Sequence, residues 1–470
     1  MNWCARLAGS TPLMNRRTTL STPNKTTQLC VSRATVRFPA ALHAAVALAA
    51  VLLAGHAVGQ EIPRPSVARQ VEKTSLPTVA NFKVGEVLLR VDANLGVEFV
   101  DNVDASRHGK ADLILTPEIG IRATWAVTKR NTLQFRAGLG YSYYFNSPNL
   151  NRQTTTIAPD SALSFNVYAG DVKINFHDHF SLQQEAISQG TLSGIAQVER
   201  FTNTLGVAVL WDTNDIIWNF GYDHFTFLTL GGANSSSGSA AADLSRLDHS
   251  TDQVSASAAV KINSVLLGGF EATGSYSDYP QQQGSNFTSL SLGPYIELQL
   301  TTYTHVFLSG GYKFYFSGAN APGSVSVGGT TTAQPAQGDP TGYYGNLSFV
   351  HQLNRYYSDR LDFGHTDDVE GLSGHTLVNS VRYNGVWQLN RTVSLTAGLF
   401  YEDVRIVSGS ALGGAVASDF SRVGASLGTG FQLTPHVGLT LGYQYLKKSA
   451  ERDTESYTQN RITFSLGYRF

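Results

Sequence analysis

Alternation of apolar and polar side chains is the dominant pattern of the chain from Gly85 to Phe470. Successive side chains of a β-strand point to opposite faces, so a period of two predicts strands with one apolar face and one polar face. Residues 133–145 carry an apolar or small side chain at every odd position, with mostly polar residues or glycine between them. Such segments run to about a dozen residues, whereas strands of soluble proteins average about 5–6 and a tilted membrane-crossing strand has about 9–11. The pattern therefore favours membrane-spanning strands.

The connections between these segments alternate between short and long, which predicts the number of strands. Eight short connections are expected near residues 129–130, 177–179, 212–215, 263–264, 301–304, 354–356, 390–391 and 434–436. Nine long connections are expected near residues 102–110, 146–160, 188–197, 231–250, 279–286, 318–341, 367–374, 406–418 and 448–457. Together they join eighteen strands. The weakest pair, around residues 166–176 and 180–187, flanks the short connection at 177–179, and sixteen strands is the alternative.

A closed barrel is the architecture that suits so many long strands. An open sheet would leave edge strands unpaired, and in lipid each unpaired backbone group costs several kcal/mol. We therefore expect an all-β fold, a transmembrane antiparallel up-and-down β-barrel, with periplasmic termini and short turns and with extracellular long loops. A soluble β-helix or propeller is the alternative, but it needs a fixed-period repeat, and none is visible in the sequence.

The last predicted strand, from Asn460 to Phe470, ends the chain on an aromatic residue. One of its faces is apolar or aromatic throughout and consists of Ile462, Phe464, Leu466, Tyr468 and Phe470. This arrangement resembles the C-terminal assembly signal of bacterial outer-membrane proteins. The resemblance implies that the barrel-assembly machinery is a partner and binds this strand. A soluble edge strand that ends in phenylalanine is the alternative interpretation.

The N-terminal region predicts export. Ala40 to Ala54 is an uncharged apolar run of signal-peptide length, preceded by six basic residues and no acidic one, and followed by small residues before Gln60. We predict a signal peptide over residues 1–59, with a membrane anchor as the alternative and with translation starting at Met1 or Met14. Residues 60–83 are polar and contain three prolines, which indicates a periplasmic extension, and residues 84–470 form the barrel.

Composition supports this division. Only 15% of the 470 residues are charged, against about 25% in soluble domains, and no run of like charges indicates nucleic-acid binding. Removing residues 1–59 takes away six of the 34 basic and none of the 35 acidic residues, which leaves 28 and 35 and a net charge of −7. Both cysteines, Cys4 and Cys30, leave as well, so disulfides and thiolate metal sites are excluded from the mature chain. No cofactor is expected.

Charged residues on the polar face are the candidate functional residues. An arginine or lysine facing lipid at mid-depth costs about 2–4 kcal/mol, so these side chains are expected to face the lumen. The candidates are Arg90, Asp92, Glu98, Arg122, Arg136, Glu271, Glu297, Lys313, Arg382 and Glu402. Both signs occur, which favours a wet interior of mixed charge. The alternative is a network of paired charges that plugs the lumen.

Three histidine-containing segments are candidate chemical sites. His177 and His179 lie on one side of an extended segment and suit a metal, but their position in a predicted short periplasmic turn, where polar residues are expected, explains them better. Asp223 and His224 suggest an acid–base pair, but adjacent residues of a strand face opposite ways. Asp248 and His249 suggest a second such pair, but they fall in a loop rich in serine, glycine and alanine. Because no nucleophile elbow, zinc-protease motif or phosphate loop is present, we do not expect an enzyme.

Three short motifs resemble the β-barrel porin 2 family. They are LGVEFVDNV at residues 95–103, where an aromatic residue precedes an Asp–Asn turn, LTPEIG at 115–120 and GLGYSYY at 138–144. The likeness extends over most of the predicted barrel. It implies an outer-membrane β-barrel, and some members are associated with exopolysaccharide export. No functional residue can be transferred, because the family offers no catalytic motif.

Together these observations predict a porin-like channel for small hydrophilic solutes or glycans in the outer membrane of a Gram-negative-type envelope. The alternative is a closed structural or exopolysaccharide-export-associated barrel, and an outer-membrane hydrolase is less favoured. The expected partners are outer-membrane lipid, the assembly machinery and the transported solute. The sequence leaves the oligomeric state open.

Overall fold

The computed structural model describes residues 82–152, 155–185, 198–232, 248–281, 286–317, 324–327, 330–333, 341–370, 374–408 and 419–470. Eighteen long strands form one antiparallel sheet that closes on itself. They are β1 (Val87–Val100), β2 (Asp112–Ala126), β3 (Thr132–Tyr141), β4 (Ala162–Ala169), β5 (Val172–Glu185), β6 (Val198–Asp212), β7 (Ile216–Gly232), β8 (His249–Lys261), β9 (Leu266–Asp278), β10 (Phe287–Thr301), β11 (Thr304–Ser317), β12 (Thr341–Asn354), β13 (Tyr357–Glu370), β14 (Gly374–Gln388), β15 (Val393–Ser408), β16 (Phe420–Gln432), β17 (Val437–Ala450) and β18 (Tyr457–Arg469). The predicted fold and strand number are confirmed.

Closure is made by the first and last strands, which pair from Asp92 opposite Arg469 to Val100 opposite Arg461. Along the rest of the ring each strand pairs with its neighbour in sequence, which is up-and-down topology. Short elements complete the described chain. They are Phe82–Val84 on the edge of β1, Tyr143–Tyr144 beside β2, Thr155–Ile157 beside β3, a hairpin of Ser324–Val327 and Thr330–Ala333, and 3₁₀ turns at Pro148–Arg152 and Asp453–Glu455. No helix in the described ranges has the length and hydropathy needed to cross a membrane.

The wall has an apolar outer face and a polar inner face. In β18 the even positions carry exposed apolar side chains, such as Ile462 at 54%, while Thr463, Ser465 and Gly467 alternate with them on the other face. The same alternation extends around the ring, where exposed large apolar side chains occupy one face of each strand. Because the concave inner face crowds its side chains together, the polar groups there meet partners on neighbouring strands. A contiguous exposed apolar surface of this extent is typical of contact with lipid.

The predicted short connection at residues 177–179 is wrong. The structure places His177 and His179 inside β5 and the turn at Gly170 and Asp171, so the predicted strands at 166–176 and 180–187 are each displaced. Gly170 has a φ of +62°, a conformation that glycine adopts without the steric cost other residues meet. The strand continues through the two histidines, and Asp178 between them is a polar residue on the outer face. The number of strands is still eighteen, because the turn at Gly170 and Asp171 stands in place of the one predicted at 177–179.

One predicted long connection is also shorter than expected. Pairing of β13 with β14 continues to Glu370 opposite Gly374, so residues 367–370 and 374 of the predicted loop belong to strands, and residues 371–373 lie outside the described residues. The other seven short connections coincide with turns between the strands. The connection predicted at 188–197 lies outside the described residues, as do the greater parts of those at 231–250, 318–341 and 406–418. The predicted signal peptide and residues 60–81 also lie outside them.

Candidate functional site on the inner wall

All ten charged residues predicted to face the lumen lie on the face opposite the exposed apolar side chains, and none of them is exposed. Arg90, for example, is half-buried, whereas Leu95 and Phe99 on the other face of β1 are exposed. Each of the ten has a charged or hydrogen-bonding partner. In most pairs the partner lies on the same or the adjacent strand, so the contacts follow the wall.

The most buried charge cluster joins three adjacent strands. Arg382 Nη2 on β14 lies 2.7 Å from Glu402 Oε1 on β15, and Arg422 Nε on β16 donates to Glu402 Oε2 at 3.1 Å. Glu402 and Arg422 have side-chain exposures of only 6% and 9%. Arg422 is not among the predicted residues, although its position in the alternation of β16 indicates an inward side chain. One carboxylate here is shared by two guanidinium groups.

Glu271 has a partner three strands away. Tyr344 on β12 donates from its hydroxyl to Glu271 Oε1 on β9 at 3.1 Å, over β10 and β11. A Cβ added at Gly293 on β10 would lie 2.6 Å from the Tyr344 hydroxyl and 2.2 Å from the Gly310 carbonyl oxygen. Glycine therefore leaves the space in which the tyrosine side chain passes over the wall.

Three further predicted residues also have identified partners. Glu297 Oε1 on β10 lies 2.6 Å from His305 Nε2 on β11. Lys313 donates to the Asp367 carbonyl oxygen at 3.1 Å, with its ammonium 5.1 Å from the centre of the Tyr315 ring. Glu98 Oε1 on β1 lies 3.2 Å from Arg461 Nε on β18, which adds an ion pair to the closure of the barrel.

Three arginines form a row across the first three strands. Arg90 on β1 is directly opposite Arg122 on β2, which is directly opposite Arg136 on β3. Like charges in this arrangement repel, so nearby carboxylates are needed. Asp92 lies 2.7 Å from Arg90 Nε but 3.8 Å from Arg122 Nε, and Asp160 forms an ion pair with Arg136. Asp92 thus compensates Arg90 closely and Arg122 only partly.

These arginines line a cavity of about 240 Å³ on the inner wall near the short turns. We call it the arginine recess; its charged residues are Arg90, Arg122, Arg136, Arg469, Asp92, Glu118 and Asp160. Four cations therefore face three carboxylates. The buried Nε of Arg469 has no hydrogen-bond partner among the described residues. Gly120 lies in the same wall, and a Cβ placed there would come no closer than 3.7 Å to Asp92. The recess has both the charge and the space to receive an acidic group.

His177 does not form a metal site in this structure. Its Nε2 lies 2.7 Å from Asp223 Oδ1 on β7, and its Nδ1 lies 3.1 Å from Asn175 Oδ1. The Asn175 amide nitrogen donates to Ser164 and Asn166, which leaves its oxygen to meet the imidazole. Both ring nitrogens of His177 are thus occupied. The described residues contain no group of three potential metal ligands.

The two Asp–His neighbours in sequence have different partners in space. Asp223 faces inward to His177, while His224 faces outward and its Nδ1 lies 2.8 Å from Asp252 Oδ1 on β8. Asp248 accepts hydrogen bonds from both the amide and the hydroxyl of Thr229, at 2.7 Å each. It therefore anchors the start of β8 to β7. The expectation that Asp223 and His224 do not pair with each other is consistent with this geometry.

Aromatic rings line the inner face along β7–β11, and none of them is among the predicted lumen-facing residues. Ring centres lie 5.2 Å apart between Phe227 and His249, 4.9 Å between His249 and Tyr279, and 6.3 Å between Tyr279 and Phe287 and between Phe287 and Tyr315. We call these five residues the aromatic arc. The sequence signal that could have predicted the arc is the presence of large rings at inward positions of β7, β8, β10 and β11.

The five residues of the proposed assembly signal share the outer face of the C-terminal segment. Ile462, Phe464, Leu466, Tyr468 and Phe470 are each at least 40% exposed. Tyr468 and Phe470 pack edge to face with ring centres 5.0 Å apart. The segment thus presents one continuous apolar edge at the point where the barrel closes.

No protein-family model and no curated protein matches the chain, so the resemblance to the β-barrel porin 2 family is not confirmed. Solved structures do match it. The chain is similar to OmpT, an outer membrane protein of Vibrio cholerae, with 12% identity, a TM-score of 0.38 and coverage of 83% of this chain and 99% of that chain. It is similar to OccK5 (OpdH) of Pseudomonas aeruginosa, with 11% identity, a TM-score of 0.43 and coverage of 82% and 98%. OpdK of the same organism, solved with vanillate, shows 9% identity, a TM-score of 0.42 and coverage of 81% and 99%.

Proposed function

We propose that this chain is an outer-membrane channel that carries small hydrophilic solutes or glycans through the lumen of its barrel. In this proposal a signal peptide over residues 1–59 directs export, and the barrel-assembly machinery inserts the chain by binding the C-terminal strand. The exposed apolar residues of the outer face contact membrane lipid.

The observation that carries the proposal is the separation of apolar and charged side chains between the two faces of a closed wall. An apolar exterior of this extent suits lipid and would be a liability in water. The ten predicted charges and the arginine recess lie on the inner face. Barrels of 16–18 strands are wide enough to hold an aqueous channel, so an inner face of this chemistry supports passage of hydrophilic solutes.

The contacts of the inward charges favour a channel over a plug. Arg382, Glu402 and Arg422 lie on consecutive strands, and Glu98 and Arg461 lie on the two strands that close the ring. Even the longer contact of Tyr344 with Glu271 passes over strands of the wall. Charges that pair along a wall line a lumen without needing to bridge it.

Planar-bilayer recording of the purified, refolded protein tests the proposal. We expect discrete ion-conducting steps. Replacing Gly120 by Trp, on the inner face of β2, should lower the conductance of each step because the added ring occupies the arginine recess. The matched control is Ile119→Trp, one position along on the outer face and 57% exposed in the native chain, which should leave the conductance unchanged.

Absence of conducting steps from folded protein would exclude the open channel and favour the closed structural or export-associated barrel. Equal effects of the two tryptophan substitutions would contradict the assignment of the inner face. Heat-modifiable migration in gels, which folded barrels show, verifies that each variant is folded before it is recorded.

A further inference from the structure

A histidine, an aspartate and a threonine meet on the outer face of β7 and β8. His224 Nδ1 lies 2.8 Å from Asp252 Oδ1, and His224 Nε2 lies 3.3 Å from the hydroxyl oxygen of Thr226. His224 and Thr226 are two positions apart on one strand, so they share a face, and Asp252 is the cross-strand partner of His224. The side chains of His224 and Asp252 are 38% and 45% exposed, which leaves the group accessible from outside the barrel.

The position of this group on the apolar face calls for an explanation. Along the outer face of β7, exposed Phe220 precedes His224 and exposed Leu228 follows it. His224 lies six residues beyond Trp218, or about 20 Å along the strand at about 3.3 Å per residue. Strands of such barrels are tilted by about 35–45°, so this distance corresponds to about 15 Å along the barrel axis, within the apolar band of about 25 Å. Ionisable groups at such positions are costly and usually serve a function.

The contacts give the imidazole the orientation of a catalytic base. A carboxylate at Nδ1 holds the proton on that nitrogen, so the neutral ring presents the lone pair of Nε2 to the threonine hydroxyl. Tyr222 donates a hydrogen bond to Asp252 Oδ1 at 2.7 Å and helps to fix the carboxylate. A nucleophile, a base and a group that orients the base are the three parts of a Ser-His-Asp-type triad, and distances slightly above 3.2 Å are common before substrate binds.

We propose that Thr226, His224 and Asp252 form a catalytic triad that hydrolyses the acyl esters of membrane lipids. Thr226 is the nucleophile, His224 the general base and Asp252 the residue that positions His224. Because the hydroxyl is reached from the outer face, the ester of a lipid can approach it from the membrane side. The lipid as substrate depends on the proposed membrane location; the triad itself does not depend on the channel.

The reaction balances with water as the only co-reactant. The Thr226 oxygen bonds to the ester carbonyl carbon while His224 Nε2 takes the hydroxyl proton. The carbon–oxygen bond to the lipid alcohol then breaks, and the alcohol oxygen receives that proton from His224. Water, with its proton taken by His224, next attacks the acyl-threonine ester. The fatty acid leaves, the proton returns to the threonine oxygen, and the triad is restored.

Ester hydrolysis by the folded full-length protein in detergent tests the proposal. The substrates are a p-nitrophenyl acyl ester and a long-chain phospholipid in mixed micelles, and the products are nitrophenol and fatty acid. His224→Ala should reduce the rate by about 10²–10⁴-fold, the usual contribution of a positioned base. Thr226→Val should reduce it at least as far, whereas Thr226→Ser should remain active. A fluorophosphonate probe should label the wild-type chain on Thr226, as located by mass spectrometry.

Two controls separate catalysis from a general effect on the outer face. His365 on β13 also faces outward and lies 2.7 Å from Asn379, without a carboxylate partner at that distance, so His365→Ala should keep the full rate. Ser250 is the cross-strand partner of Thr226, and Ser250→Ala tests whether it is the nucleophile instead. The proposal is overturned if the wild type releases no product above the detergent blank, if Thr226→Val keeps the wild-type rate, or if the probe labels Ser250. Because the assay needs no conductance, it succeeds or fails independently of the channel.

Discussion

Glu402 is a buried carboxylate on the inner wall that pairs with two arginines. It is 6% exposed and is shared by Arg382 and Arg422. Removing one partner of a buried ion pair leaves uncompensated charge and costs about 3–5 kcal/mol. We therefore expect Glu402→Ala to lower the free energy of unfolding by about that amount, measured by denaturant unfolding of the refolded protein in lipid.

The adjacent residue provides the control. Asp403 faces outward and lies 3.4 Å from Arg405, whose side chain is 65% exposed. Exposed ion pairs contribute about 0–1 kcal/mol, so Asp403→Ala should change the stability little. Similar losses in the two variants would show that burial and sharing of Glu402 add nothing.

Gly293 offers a second test at the residue scale. Its missing Cβ leaves room for the Tyr344 hydroxyl, and an added methyl would lie 2.6 Å from it. Gly293→Ala should therefore displace Tyr344 from Glu271 and cost about 1–3 kcal/mol, the range for overpacking. Gly345→Ala is the control because nothing lies within 4 Å of its added Cβ. Equal unfolding midpoints for the two variants would contradict the proposed close approach.

The two faces of the closing strand β18 have different surroundings, so the same substitution should have different effects on them. Phe464 is exposed on the outer face, and Thr463 lies on the inner face beside it. Phe464→Arg should destabilise the barrel by about 2–4 kcal/mol, the cost of a basic residue near the middle of the bilayer. Thr463→Arg should cost less because its charge enters a polar interior. The difference between their unfolding free energies in lipid vesicles measures the effect, and a larger loss for Thr463→Arg would reverse the assignment of the faces.

Most elements could be predicted from the sequence because the period of two is local information. The one misplaced turn shows where this information ends. The segment around His177 contains adjacent polar residues, which resemble a turn when only the chain is considered. In the folded barrel, His177 lies on the inner wall beside Asp223. This partner is 46 residues away in the sequence, so no local pattern reveals it. Gly170 was the available local signal, because glycine readily adopts the positive φ found at the true turn.

The candidate sites were predictable in part for the same reason. Alternation assigns a residue to a face, and this sufficed to place Arg90, Arg122 and Arg136 together on one side. It does not give the register between strands distant in sequence, so the contact of Tyr344 with Glu271 had no local signal. Thr226 and Asp252 were missed because His224 was weighed only against its neighbour in sequence. Pairing of β7 with β8 supplies the missing information.

At the scale of the whole barrel, the arginine row and the aromatic arc occupy different strands of the inner wall. The arginine recess lies on β1–β3 and the end of β18, whereas the aromatic arc follows β7–β11. The ion-pair cluster around the buried Glu402 lies on β14–β16. The recess lies near the short turns and the arc near the long loops, so a solute with an acidic group and an apolar face would meet the two surfaces at opposite ends of the lumen. This division makes the recess the sector of the wall where charge should govern conduction.

Ion selectivity tests that role directly. Arg122 is the arginine of the row with the longest distance, 3.8 Å, to its carboxylate, so its charge is the least compensated. One unit charge acting at about 4 Å in water contributes about 1 kcal/mol, so Arg122→Gln should raise the cation-to-anion permeability ratio roughly two- to fivefold. The reversal potential under a potassium chloride gradient measures this ratio. Glu118→Gln removes a negative charge from the same recess and should shift the potential in the opposite direction, while Arg405→Gln, on the outer face, should leave it unchanged. If Arg122→Gln and Glu118→Gln shift the potential in the same direction, or neither shifts it, the ions do not pass the arginine recess.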